Sequence, residues 1–453
     1  MSTNINLKKG LNVPISGAAA PVVSRLVMPD IVAIQPESFK GFAPRLLVKE
    51  GAKVLAGSPV MSDKKNPDIL ATSPVSGTVK SVVRGEKRRL LAVLVEADAQ
   101  QEHVEFGVKD AASLTQEEVK SALLQSGLWL SLIQRPYGII ADPAVQPKGI
   151  FVSTFSTAPL APECEFAYGN ELDMLQAGID ALSKIAPVHV SYCGKCGNRF
   201  SGLKNAQMHS FTGKHPAGNV GVQISHISPI RKGETVWTIS PALLIAVGRL
   251  FKQGQLNLLR KVAVAGPAAN EPSYIETIPG MPMSNLASYY GNAADQIRVI
   301  SGDVLSGKNV GVEGYLGWAD NQVSIVKEGR DEEWFGWARP FRFNQYSSDH
   351  TYFNWCLKPL LGKRKYDMDT NLHGGPRAFV MSDSYYAKVF PMDIYPLYLI
   401  KACLAGDIDK MERFGIYEVL PEDFAVCEYL DPSKNYIQSI ISDGIDLMLK
   451  EMA

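Results

Sequence analysis

Between residues 112 and 250 the apolar positions switch between two periods. GIFVSTFST, residues 149–157, is a short continuous apolar run that predicts a strand. ELDMLQAGIDALSKI, residues 171–185, places Leu172, Leu175, Ile179 and Leu182 on one helical face, and PVHVSYC, residues 187–193, returns to a strand pattern. A strand, a helix and a strand in that order predict one unit of a parallel sheet. Upstream, SLTQEEVKSALLQSG carries Ser113 and Thr115 ahead of Glu117 and Glu118, with Gly127 after its last apolar position, so a helix starts and stops there. Near the C-terminus, IYPLYLIKACLAG and YIQSIISDGIDLMLKE both read as helices. In the second, Ile437, Ile440, Ile441, Gly444 and Met448 share a face that needs another helix to cover it.

Residues 42–98 have a different texture. RLLVKEGAKVLAGSPVM, ILATSPVSGTVKSVV and KRRLLAVLVEAD are β-rich runs punctuated by Gly51, Gly57, Gly77 and Gly85, a spacing suited to a small barrel of hairpins. VKEGAK and VVRGEK form a weak internal repeat. SPVSGTV, preceded by SDKK, resembles the lipoyl/biotinyl carrier fold, in which a lysine at a hairpin tip carries a swinging arm. Lys64 and Lys65 stand near that place, but Asn66 and Pro67 follow directly and Pro67 removes a ladder donor. These lysines read as solvated turn residues, and the barrel as a docking module.

The chain has 453 residues, is 46% hydrophobic and balances 46 Lys and Arg against 46 Asp and Glu. It is long enough for about three cored domains and lacks the positive excess of a phosphate-neutralising protein. No apolar run reaches the roughly 18 residues needed to span a bilayer; residues 241–251 are interrupted by Gly248 and Arg249. The start, MSTNINLKKGLNVPISGAAA, has no continuous apolar core, so no secretory signal is expected. Six cysteines are ordinary for a reducing compartment.

One motif cuts across this picture. In YCGKCGNRFSGLKNAQMHSFTGKH, two residues separate Cys193 from Cys196, twelve separate Cys196 from His209, and five separate His209 from His215. That is two-cysteine, two-histidine zinc-finger spacing, with Phe200 at the core aromatic position. The surroundings fit poorly: the stretch begins at the end of a sheet strand, and Gly202, Gly213 and Pro216 interrupt the would-be helix. Three readings stay open, namely a zinc site, two reduced cysteines beside unrelated loop histidines, and a redox-active pair. No GxGxxG or GxxxxGK[ST] phosphate cradle follows the strand at 149–157.

FTGKHPAGNVGVQISHISPI, residues 211–230, together with KKGLNVPISGAA, SDKKNP, RVISGDVLSG, NLHGGPRAFVM and VFPMDIYPLYLIKACLAGD, resembles the family of the A subunit of the Na+-translocating NADH:quinone reductase over essentially the whole chain. The resemblance implies an α/β multidomain fold. Its parts are an extended N-terminal segment (1–41), a lipoyl/biotinyl-like β-barrel (42–100), a Rossmann-like α/β domain (101–258), a β-grasp, soluble ligand-binding domain (259–330) and a largely helical C-terminal domain (331–453). The β-grasp strands fall at KVAVAG, SYIETI, IRVISG and QVSIVK.

The resemblance also implies relatedness to the flavin-binding subunit of complex I and the C subunit of the Rnf complex. Those relatives hold FMN on a glycine-rich loop, where this chain has SGLWLSLIQRPYG with bulky Trp129, Leu130, Leu132 and Ile133. They also carry a C-terminal cysteine cluster, where AVCEYLDP keeps only Cys427 and has Asp431 in place of another cysteine. The implied role is a peripheral subunit on the cytoplasmic side of the bacterial inner membrane, in a complex that couples NADH oxidation and quinone reduction to Na+ export. FAD, FMN, riboflavin and iron-sulfur centres are expected in partner subunits, with no cofactor in this chain, no catalytic residue and no nucleic acid partner. A quinone is expected, if anywhere, at the loop of Phe211, Gly213, His215, Pro216 and Gly218, where glycines admit a ligand and His215 offers a hydrogen bond. His226, beside a strand-like QIS, reads as structural. The competing readings are a stand-alone zinc- or nucleic-acid-binding protein using Cys193, Cys196, His209 and His215, and an Rnf-type electron-transfer subunit.

Overall fold

The computed structural model describes residues 3–111, 113–196, 199–291, 293–330, 334, 343–346, 364–371 and 383–451. Most of the motif at 371–381 and of the aromatic stretch after residue 336 lies outside them.

The helix Gln116–Ser126 begins at the capping box the sequence predicts. Thr115 Oγ1 accepts from the Glu118 amide while the Glu118 carboxylate accepts from the Thr115 amide, and Gly127 closes the helix at φ 77°. It leads into a seven-stranded sheet. Five strands run parallel in the order Thr3–Asn6, Gln207–Thr212, Val188–Cys193, Ile150–Ser153 and Val236–Thr238; Ile133–Arg135 and Ile139–Ile140 extend the sheet antiparallel. The amphipathic helix Leu172–Leu182 crosses between two of these strands as its periodicity requires. It packs against the helix Pro241–Gln253, which is buried over nearly its whole length. Two glycines permit that contact: a Cβ on Gly178 would stand 2.4 Å from Leu244 O, and one on Gly248 only 1.8 Å from Met174 O.

The barrel consists of two facing sheets, Ile31–Ile34, Leu90–Ala97, Gly77–Arg84 and Lys53–Val54 in one, and Pro44–Leu46, Pro59–Asp63 and Leu70–Thr72 in the other. Val60, Met61, Val79, Val93 and Val95 fill the space between them. Lys64 and Lys65 are exposed just after Pro59–Asp63. A further, six-stranded sheet takes the order Lys308–Asn309, Ile297–Ser301, Gln322–Lys327, Arg260–Ala265, Ser273–Thr277 and Val23–Leu26 around a core of Val262, Ile275, Val299 and Ile325. The C-terminal helices Pro396–Ala405 and Ile437–Glu451 bury Ile437, Ile441, Ile445 and Met448, and Gly444 lies against Cys403. The unpaired face read from the sequence is thus covered within the chain. Among the described residues no helix is long and apolar enough to cross a membrane.

Two local readings need correction. Residues 207–212, the would-be helix of the finger, form a strand, because Met208 and Ser210 fall into register with Val190 and Tyr192 and the buried Phe211 supplies the sheet core. QIS lies in the helix Val220–Ile227, where Val220, Ile224 and Ile227 recur at steps of four and three and so fit a helical rather than an alternating period.

Gly248→Ala should lower stability by about 3 kcal/mol, through overpacking against the Met174 carbonyl. Gly202→Ala, whose Cβ would meet nothing within 4 Å, should change it by less than about 0.5 kcal/mol. Urea unfolding midpoints would read both.

Candidate functional site

The sheet has one topological switch point. From Ile150–Ser153 the chain moves outward to Val188–Cys193 and Gln207–Thr212, then returns on the opposite side as Val236–Thr238. In open α/β sheets the crevice beyond the carboxyl ends of the two strands at such a reversal is where ligands sit. A cavity of about 310 Å³ lies there, walled by Ser153 to Ser156 after the first strand and Thr238 to Pro241 after the second. Leu130, Ser131 and Ile133 close one side, Ser38 another, and Trp318, Ala319 and Asn321, just ahead of the strand Gln322–Lys327, form the roof. Segments from several parts of the fold therefore meet around one space.

Among the described residues its lining contains no Asp, Glu, Lys, Arg or His. Most of its polar groups are already engaged. Ser153 Oγ donates to Phe155 O and Gly218 O and accepts from Gln223 Nε2; Thr154 Oγ1 donates to Ser191 O; Ser240 Oγ caps the following helix; Tyr168 and Asn321 bond each other. Two are not engaged. Ser131 Oγ, on a residue 2% exposed, and Trp318 Nε1 are buried without a hydrogen-bond partner. An orphaned buried donor costs roughly 1–3 kcal/mol, so each of these two would gain from an acceptor brought within reach.

The five loop residues singled out in the sequence divide around this cavity. Only Gly218 lines it, with its amide on Thr157 Oγ1 and no room for a Cβ, which would meet Thr157 N at 2.5 Å. Phe211 is fully buried in its strand, Gly213 lies against Leu7 and Ala217, and Pro216 follows a cis peptide bond. His215 is buried behind the rim: its Nδ1 bonds Thr157 Oγ1 at 3.2 Å and its amide donates to Asn12. Burial pushes its pKa down, opposed by the Asp303 and Asp423 carboxylates. Ser131 and Trp318 were not among the sequence candidates. The bulky run around Trp129 was the one available signal, since it marks backbone turned toward the switch point.

The four finger residues do not converge. Cys193 and Cys196 are joined in a disulfide, which corrects the reading of two reduced cysteines; their Cα atoms are 5.3 Å apart, within bridging range. His209 lies inside its strand, with Nδ1 2.6 Å from Thr3 Oγ1 and Nε2 3.1 Å from His189 Nδ1, while His215 is held by Thr157. Among the described residues no three His, Cys, Asp or Glu side chains gather into a group that could hold a metal ion. Cys427 is buried in the helix Ala425–Leu430, and Asp431 accepts from Tyr386 and Asn435. Trp129 and Leu130 are buried where the resemblance placed a flavin phosphate loop, and Trp129 packs edge-on against Trp237 at 5.4 Å. Among the described residues, no cationic side chain in the lining stands to pair with an FMN phosphate.

A barrel-sandwich, a switched α/β sheet and a mixed six-stranded sheet define an α/β multidomain protein. Three family descriptions match it in turn: NqrA N-terminal barrel-sandwich hybrid domain over residues 5–98, NqrA second alpha/beta domain over 114–256, and NQRA C-terminal domain over 261–311. The A subunit of the Na(+)-translocating NADH-quinone reductase from Yersinia pestis bv. Antiqua (strain Angola) is 35% identical over 444 residues, covering 97% of this chain and 98% of the relative. Its counterpart from Haemophilus influenzae (strain PittEE) is 36% identical over 453 residues, 99% of this chain and 100% of the relative. That from Serratia proteamaculans (strain 568) is 36% identical over 454 residues with the same coverage. The chain belongs to the NqrA family, the A subunits of the Na(+)-translocating NADH-quinone reductase.

The His189–His209 stack gives a pH prediction. Burial, then the neighbouring His209, pushes the His189 pKa down to about 4. An unfolded histidine titrates near about 6.5, so between these values the unfolded chain binds more protons and stability falls as pH falls. Urea midpoints should decline from about pH 6.5 to about pH 4, with a shallower decline in His189→Gln.

Proposed function

We propose that this chain is the peripheral, cytoplasmic-face subunit of a bacterial inner-membrane NADH-quinone reductase that exports Na+, and that it holds a quinone head group without a redox cofactor of its own. On this reading it docks on membrane subunits, and FAD, FMN, riboflavin and iron-sulfur centres reside in the partner subunits. The observation that carries the quinone role is the neutral cavity at the switch point with its two unpartnered donors, Ser131 Oγ and Trp318 Nε1. A quinone head group is a flat, uncharged ring with two carbonyl acceptors, and its size and polarity suit such a space. Gly218, the rim residue, admits the ring edge where a side chain could not fit. His215 acts through Thr157 as a positioning residue for that rim.

The test uses the assembled complex, purified from membranes through a tag on this chain and assayed for Na+-stimulated NADH:quinone reduction. Co-purification of membrane subunits with that activity is expected. Ser131→Ala and Trp318→Phe should each raise the quinone KM by about fivefold, the worth of one hydrogen bond, with kcat little changed. An unaltered KM in both variants would remove the quinone from this cavity, and a chain that comes out alone would remove it from the complex.

A further inference from the structure

The bridge between Cys193 and Cys196 belongs to no part of the cavity, and it is poorly suited to bracing. Only two residues separate its cysteines, so it closes a very short loop and constrains the unfolded chain little. Its two sulfurs have unequal settings. Cys193 ends the strand Val188–Cys193 in register with Phe211, and the next amide, Gly194, donates to Phe211 O at 2.9 Å. Cys196 is exposed on the turn beyond, with exposed Lys195 inside the bridged ring. One sulfur is therefore anchored to the sheet and the other open to an incoming thiolate, beside a positive charge that stabilises thiolate character.

We propose that Cys193 and Cys196 are a reversible dithiol–disulfide site that exchanges with small thiols and dithiol proteins, Cys196 being the sulfur attacked. An external thiolate forms a bond to Cys196 Sγ as the Cys193–Cys196 bond breaks, and the bonding pair leaves on Cys193 Sγ, which takes a proton from water. A second thiol resolves the mixed disulfide and releases Cys196. Two external thiols are thereby oxidised to one disulfide while the pair is reduced to two thiols, and the reverse exchange restores the bridge. The remaining described cysteines are set apart from this chemistry: Cys164 and Cys427 are buried, and burial raises both thiols; it raises that of the half-buried Cys403 to about 12.

The site also has a structural reach that does not depend on what occupies the cavity. Ser191, two residues before Cys193, accepts from both the amide and Oγ1 of Thr154 on the cavity wall, at 2.9 and 3.0 Å. The bridge thus closes the end of the strand that supports that wall.

Full-length protein is poised in mixtures of reduced and oxidised glutathione, quenched with N-ethylmaleimide, cleaved and weighed by mass spectrometry. Adducts on Cys193 and Cys196 should rise together along one reversible curve while Cys164 and Cys427 stay unlabelled. A bridge that persists through the whole range, sulfurs that label without reductant, or protection lifted by a zinc chelator would each overturn the proposal. In Cys193→Ser the remaining Cys196 should form its mixed disulfide with oxidised glutathione severalfold faster than Cys193 does in Cys196→Ser. The opposite order would overturn the assignment of the attacked sulfur.

Discussion

The arrangement of the domains depends on the first 34 residues, which give one strand to each of three sheets. Thr3–Asn6 adds parallel to Gln207–Thr212, Val23–Leu26 adds parallel to Ser273–Thr277, and Ile31–Ile34 pairs antiparallel with Leu90–Ala97. A parallel strand at such sequence distance cannot form until its partner sheet exists, because the closure entropy comes before the hydrogen bonds that repay it. The segment is therefore a strap laid over folded domains, and it fixes their mutual positions. Where it crosses the six-stranded sheet, Gly17 at φ 85° accepts from the Gly266 amide, and a Cβ on Gly17 would stand 2.2 Å from Gly266 O. That crossing admits only glycine. The cavity needs this rigidity, since Ser131, on the turn Leu128–Ser131, and Trp318, ahead of the strand Gln322–Lys327, line one space only if the units that carry them hold station.

A second tie secures the C-terminal helices beneath the same region. Arg135, 1% exposed at the end of its strand, donates to Glu422 at 2.7 Å and Asp423 at 3.2 Å. Gly221 makes room, because a Cβ there would lie 2.3 Å from the guanidinium and 2.5 Å from the Asp423 carboxylate. A buried pair of this kind adds little net stability compared with apolar packing, yet breaking it leaves an uncompensated charge. Its effect is selective: the helical segment has one seat, against the helix Val220–Ile227 that follows the 213–218 loop. Asn219, the cap of that helix, donates to Glu422 O and completes the contact.

What was legible in the sequence follows from how local each signal is. The helices Gln116–Ser126 and Leu172–Leu182 were readable because their caps and apolar faces lie within a few turns of one another. The strap was not, since parallel pairing leaves no mark on either strand that names its partner. Gln207–Thr212 was obscured by a coincidence: Cys193, Cys196, His209 and His215 have finger spacing, while His209 is set by its contacts with Thr3 and His189. The loop Phe211 to Gly218 drew attention through its glycines. Gly218 does reach the cavity, but the unpartnered donors that give the cavity its character lie in an apolar run and under a distant sheet. An unsatisfied hydroxyl or indole is a property of three-dimensional packing and has no sequence signature.

The charge-free lining bears on what kind of chemistry the cavity can support. Quinone and quinol are both neutral, so a space with two donors and no ion can exchange one for the other without desolvating a charge. A semiquinone anion would find no ion pair there, because among the described residues no Lys, Arg or His lines the wall. His215 does not change this, since it is not among the lining residues and burial holds it toward the neutral form. On the proposed reading, the lining thus suits a chain that seats and orients a neutral ring and offers no side-chain charge to a semiquinone.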